Sequence, residues 1–186
     1  MKVRPIIFLD FDGDINTPYL LYNSGEPELF MPSDGKVSNY QAIKLLNWLY
    51  SKVPYNIVIT STWRLHMTNE ELHKVLLTSG LNPDIPVIGK TPNLNYITKY
   101  DKVFKIPFTK KYITKHTRRG HEIPNWLTDT LIPYTYEFII LDDDTDMWKY
   151  KKYLVKCNPH EGITFPIAYN VLTRLKQIQE EIECQK

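Results

Sequence analysis

Two short, wholly apolar runs, each stopping abruptly at carboxylates, constrain this chain more than any other feature. Pro5 to Leu9 ends at Asp10-Phe11-Asp12-Gly13, and Phe138 to Leu141 ends at Asp142-Asp143-Asp144. An apolar run without polar alternation reads as a strand buried on both faces, which is the setting of a parallel sheet. The segments between agree. Ser38 with Gln41 forms a capping-box signature, and Ile43, Leu46, Leu49 and Tyr50 follow at helical spacing, predicting a helix through about Lys52. Asn56 to Ile59 predicts a second strand. Thr68 and Glu71 repeat the capping pattern before Leu72, Val75 and Leu76, and Gly80 stands where a left-handed helix stop belongs. Pro86 to Ile88 predicts a third strand. A helix is expected over Glu122 to Leu131, with Pro124 acceptable only in its first turn. Leu154 to Cys157 reads as a last strand. The spacing of Ile167, Val171, Leu172, Leu175, Ile178 and Ile182 predicts a long terminal helix. Strands alternating with helices imply a mainly parallel sheet covered on both faces, with ligands at the carboxyl ends of the strands. Both acidic clusters fall there.

A chain of 186 residues with 42% hydrophobic content suits one α/β domain, 1–186, better than two. No stretch approaches the ~18 consecutive apolar residues of a membrane-spanning helix. The start reaches Asp10 too soon for a secretory signal, and two cysteines, Cys157 and Cys184, are too few for a disulfide framework, so a reducing, cytoplasmic location is expected. The net charge of +2 is unevenly distributed: from 95 to 119 there are eight basic residues against the single Asp101. Tyr96, Tyr100, Phe104, Phe108 and Tyr112 interleave with the lysines. This insertion, 95–118, is expected to be a loop or hairpin. It would either contact nucleic acid through phosphates and stacking, or pack its tyrosines inward with its lysines in water.

In an extended chain, residues two apart share a face, so Asp10 and Asp12 begin on one side, and Gly13 lets the backbone turn sharply. Two close carboxylates repel unless something neutralises them. A hard divalent cation such as Mg2+ does so and also accepts phosphate oxygens, and Asp142 and Asp143 supply further oxygen ligands from another strand end.

A hydrophobic strand followed by Asp-x-Asp-Gly, a later strand ending in Ser or Thr, a downstream Lys or Arg, and a final strand ending in paired aspartates resembles the haloacid dehalogenase (HAD) superfamily. Ile-Thr-Ser-Thr-Trp-Arg at 59–64, Gly-Lys-Thr-Pro at 89–92, Arg-Gly-His-Glu-Ile at 119–123 and Leu-Asp-Asp-Asp-Thr-Asp-Met at 141–147 are similar to a capless group that includes the phosphatase domains of polynucleotide kinase-phosphatases and of RNA-repair proteins. The resemblance implies a Rossmann-like three-layer α/β sandwich without a large cap domain. It implies Asp10 as nucleophile forming an aspartyl-phosphate, Asp12 as general acid and then base, and Ser61 as a hydrogen-bond partner of the phosphoryl group. Arg119 would offset developing charge, with Lys115 and Lys110 as rivals. Gly13, Thr62, Arg64 and Lys115 would line the substrate site, Arg64 as a bidentate phosphate clamp. Asp10, the backbone carbonyl of Asp12, Asp142 and Asp143 would hold Mg2+, with Asp144 and Asp146 as further candidates. Where Asp14 stands, members of the superfamily often carry threonine or an apolar residue. It is read here either as solvent-facing or as adjusting metal affinity.

The implied activity is hydrolysis of a terminal phosphomonoester, on a nucleotide or polynucleotide end or on another phosphomonoester. Stretch 16–38 is too short for a folded helical cap, so the expected site is open and suits a large substrate. Against this stand plainer readings. Asp-x-Asp-Gly alone is often a turn. A receiver-like phosphate acceptor without turnover would place adjacent acids first and a lone Asp later, which is the reverse of this order. A pure nucleic-acid-binding protein would bind in a salt-sensitive way without Asp10 or Asp12.

Overall fold

The computed structural model of the chain describes residues 3–17, 37–94, 119–130 and 138–184. The basic insertion at 95–118, with Lys110 and Lys115, and the stretch 18–36 lie outside the described residues.

Apolar side chains on both faces make the strands, and the register brings their carboxyl ends level. The strands are β1 (Ile6–Leu9), β2 (Asn56–Ile59), β3 (Val87–Lys90), β4 (Phe138–Asp142) and β5 (Leu154–Lys156), in the order β3-β2-β1-β4-β5. All neighbouring pairs are parallel. β1 is central. Leu9 is opposite Ile59 on one side and Leu141 on the other, so Asp10 emerges beside Asp142 and near Thr60 and Ser61. This is the switch point of a doubly wound sheet, where the chain leaves in opposite directions and opens a crevice.

Ile7, Leu9, Ile57, Ile59, Ile139 and Leu141 face a large core with helices α1 (Tyr40–Lys52), α2 (Asn69–Thr78) and α4 (Phe165–Cys184). Ile6, Phe8, Val58, Phe138 and Ile140 face a smaller core against α3 (Arg119–Asp129), through Ile123, Trp126 and Leu127. The result is a Rossmann-like α/β sandwich of three layers, with no large cap among the described residues.

Local signals mark most boundaries. The Thr68–Glu71 capping box is present in both directions, and Gly80 has φ +96° at the end of α2. At α1 the cap falls one residue later than the sequence pattern suggests. Asn39 accepts from the Ala42 N–H at 3.1 Å, while the Ser38 hydroxyl accepts from the Thr17 N–H at 3.0 Å. Proline 124 lies inside α3 rather than in the expected first turn. Its missing N–H removes one bond of that helix, a cost that the buried Ile123, Trp126 and Leu127 offset. No helix among the described residues is long and apolar enough to cross a membrane.

Candidate active site

After β1 the chain folds into a tight turn in which the Phe11 carbonyl accepts from the N–H groups of Asp14, Ile15 and Asn16 at 3.2, 2.9 and 2.8 Å. Gly13 sits in this turn at φ +84°, a conformation that side chains disfavour. It also gives up space: a Cβ there would lie 2.6 Å from Asp143 Oδ2. The glycine therefore lets the second acidic strand end approach the first. Asp10, Asp14, Asp142 and Asp143 each bring one carboxylate oxygen to within 4.8 Å of the others. Three are almost fully buried, with Asp10 at 3% and Asp14 and Asp142 at 0% exposure.

Arg119 opens α3 and reaches into this group. Its Nη1 lies 2.9 Å from Asp10 Oδ2 and also pairs with Asp142 Oδ2, and its Nε is 4.0 Å from Asp146 Oδ1. Burial works against its charge, but Asp10, Asp146 and Asp14 more than offset that and hold its pKa above its already high value. The negative groups outnumber this one guanidinium. Burial pushes the carboxyls of Asp14, Asp143 and Asp146 above the ordinary range, and the charge on Asp10 adds to the effect at each. Both oxygens of Asp14 are buried without a hydrogen-bond partner meeting ordinary geometry, and the thiol of Cys157, itself pushed far up by burial, lies against it. Buried, hard, anionic oxygens in excess of their counter-charge fit a divalent cation such as Mg2+.

The acids divide by partner. Asp12 is not one of the group of four. Its carboxylate accepts from Trp63 Nε1 at 3.0 and 3.2 Å and from Asn16 Nδ2 at 2.9 Å. Burial raises its pKa, the Asn16 hydrogen bond works against that, and nearby Asp10 adds to it. Asp142 Oδ1 accepts from the Asp144 N–H at 2.8 Å. Asp144 is exposed and turned to the Thr145 N–H at 2.6 Å, and Asp146 belongs with Arg119. Of the candidates after β4, then, Asp142 and Asp143 are the ones that converge with Asp10.

Ser61 is fully buried at the end of β2, its hydroxyl accepting weakly from the Trp63 N–H at 3.4 Å, and Thr62 is exposed beside it. Arg64 requires a correction. The sequence suggested a phosphate clamp, but the short 3-10 turn Thr62–Leu65 folds it inward. Its guanidinium donates to the carbonyls of Thr60, Ser61 and Thr91 at 2.5, 2.8 and 3.0 Å and to Glu122 Oε2 at 2.5 Å. It is an internal strut that ties the end of β2 to α3. Trp63, Asn16 and Glu122 acquire roles that sequence patterns did not assign, and Asp14, for which a solvent-facing position was one of two readings, is fully buried in the acidic group. The signal for Trp63 was present in the neighbouring Ser61-Thr62-Trp63-Arg64 run, but nothing local says that an indole N–H meets a carboxylate 51 residues away.

The family model for the HAD domain in Swiss Army Knife RNA repair proteins matches residues 6–168. No curated protein and no solved structure matches the chain. The family match takes in every strand and both acidic strand ends. The chain belongs to this HAD family and is a phosphatase-type hydrolase domain.

Proposed function

We propose that this member of the RNA-repair HAD family hydrolyses a terminal phosphomonoester on a polynucleotide or nucleotide end, by way of a covalent phosphate on Asp10. The observation that carries the reading is the setting of Asp10. It stands at a central strand end, 2.9 Å from Arg119 and beside a carboxyl, Asp12, that is held in place yet biased toward its protonated form.

In the first step an Asp10 oxygen forms a bond to phosphorus as the bond from phosphorus to the leaving oxygen breaks. Asp12 gives its proton to that oxygen. In the second step Asp12 takes a proton from water, the water oxygen bonds to phosphorus, and the Asp10–phosphorus link breaks. Trp63 and Asn16 orient Asp12 for both steps. Arg119, in contact with Asp10, would offset the negative charge that builds on the phosphoryl oxygens. A divalent cation, Mg2+ by the chemistry of the donor set, would be held by Asp10, Asp142 and Asp143, and it supplies polarisation of the phosphoryl oxygens. Ser61, just beyond the end of β2, would donate its hydroxyl to the phosphoryl group. The family's association with RNA repair supports a polynucleotide end as substrate, and the basic insertion supports it through phosphate attraction. A reducing intracellular compartment goes with that substrate.

The test is phosphate release from nucleotides and from 3′- and 5′-phosphorylated oligonucleotides, with Mg2+ and with chelator. Turnover on oligonucleotide ends that Asp10→Asn abolishes is the expected result, because an amide does not attack phosphorus. Wild-type activity in Asp10→Asn removes the assigned nucleophile. One stoichiometric burst without turnover would make the protein a phosphate acceptor rather than a phosphatase.

A further inference from the structure

Asp14 is the residue that the proposed chemistry leaves unused. It is fully buried, neither carboxylate oxygen has a hydrogen-bond partner of ordinary geometry, and the weakly donating thiol of Cys157 lies against it. A protonated carboxyl in this position would need an acceptor for its own proton, and an ionised one would need a counter-charge.

The backbone fixes the position. The Asp14 N–H donates to the Phe11 carbonyl at 3.2 Å, and the Asp14 carbonyl accepts from the Ile163 N–H at 2.9 Å. Gly162, at φ +68°, packs so closely on that carbonyl that a side chain there would collide with it. The tight turn that follows Asp10, closed by the hydrogen bonds to the Phe11 carbonyl, brings Asp14 back beside it. One Asp14 oxygen consequently joins the group formed by Asp10, Asp142 and Asp143, all within 4.8 Å. Two oxygens on one ion stand at most twice the ligand distance apart, about 4.2 Å for Mg2+ and about 5.2 Å for Ca2+, so oxygens already within 4.8 Å of one another close on one Mg2+ by a small inward movement.

We propose that Asp14 is a direct carboxylate ligand of the divalent cation, so that this chain holds the ion with four carboxylates before any phosphate arrives. The inference rests on the reading that the two acidic strand ends bind a divalent cation. Mg2+ sites of phosphoryl-transfer enzymes commonly use about one or two carboxylates and rely on substrate phosphates for the rest, and affinity rises with ligand charge. A fourth carboxylate makes the metal resident in the free protein. It also makes binding of the ion less dependent on substrate.

The test uses Mn2+ as a spectroscopic stand-in, added to the full chain after chelation and without substrate. Binding is followed by electron paramagnetic resonance and by calorimetry. The wild-type protein should take up Mn2+. Asp14→Val, which has no ligand atom, and Asp14→Asn, which keeps the shape but loses the charge, should each weaken binding on the order of ten-fold or more. Their metal-free melting temperatures should equal or exceed that of the wild type, since a buried unpaired carboxylate has been removed, and their gain in melting temperature on adding Mn2+ should shrink. Unchanged Mn2+ affinity in a folded Asp14→Val or Asp14→Asn overturns the proposal while leaving the rest of the metal site standing. Absence of Mn2+ binding by the wild type, and by an Asp142→Asn control, overturns both the proposal and the metal reading beneath it.

Discussion

Arg64 and Arg119 are both largely buried and both face carboxylates, the first in the turn after β2 and the second at the start of α3, yet their surroundings are opposites. Around Arg64 the charge is closed: Glu122, itself 0% exposed, faces it, and three backbone carbonyls take other donors. Around Arg119 the charge is open. Asp10, Asp142 and Asp146 approach it, and Asp14 and Asp143 stand in the same neighbourhood. A balanced buried pair resists change and adds rigidity. An unbalanced one has electrostatic work left for a ligand to complete. The comparison separates scaffold from site without reference to any motif.

The sharpest way to break this contrast is at the closed centre. Arg64→Ala strands Glu122 in the core and is expected to cost about 3–5 kcal/mol of unfolding free energy, measured by denaturant titration. Replacing both partners together by Met and Leu should recover most of that loss. If the single variant unfolds like wild type, Arg64 is no strut. At the open centre, Arg119→Ala should lower kcat by about 10²–10³ with a much smaller change in the denaturation midpoint. An equal fall in stability and activity would make the two arginines the same kind of residue.

A smaller effect is expected from Trp63→Phe. Its indole N–H favours the charged form of Asp12, so its loss raises the Asp12 pKa, and the general acid keeps its proton to higher pH. The alkaline limb of the kcat profile should move upward, and a fixed limb would remove Asp12 from the role of acid. The smallest expected signal concerns stability in chelator. Asp12, Asp14, Asp143 and Asp146 all titrate above their unfolded values because of burial. The folded state then binds protons that the unfolded state has lost. The stability these groups contribute is present below their unfolded pKa of about 4 and falls as pH rises through their folded values. Melting temperatures taken from about pH 5 to about pH 8 in chelator should decline, and Asp14→Asn should flatten the decline. A rise with pH, or an undiminished slope in that variant, places the unbalanced charge elsewhere.

Much of the fold was legible because its signals are local. Thr68 and Glu71 announce the start of α2 through atoms three residues apart, and Gly80 announces its end through a conformation that needs no distant partner. Ile6 to Leu9 and Phe138 to Leu141 declare buried strands by composition alone, and each carries its aspartate to the strand end. Pro124 lies deeper in α3 than its local penalty predicts, because that penalty is set against packing that the sequence pattern does not weigh. Ser38 and Asn39 have the same capping chemistry in the sequence; Asn39 caps α1 while Ser38 turns to Thr17, a choice made by a residue 21 positions away.

The sequence by itself determined the parallel α/β plan, the acidic strand ends and the family, because periodicity, capping and short motifs act over a few residues. Only the tertiary structure decided that Arg64 is consumed by Glu122, that Trp63 holds Asp12, and that Asp14 joins Asp10, Asp142 and Asp143 rather than facing water. Those outcomes depend on where the tips of side chains from separate elements meet. That position is fixed by the packing of the whole sheet and its helices, which no local run of residues encodes.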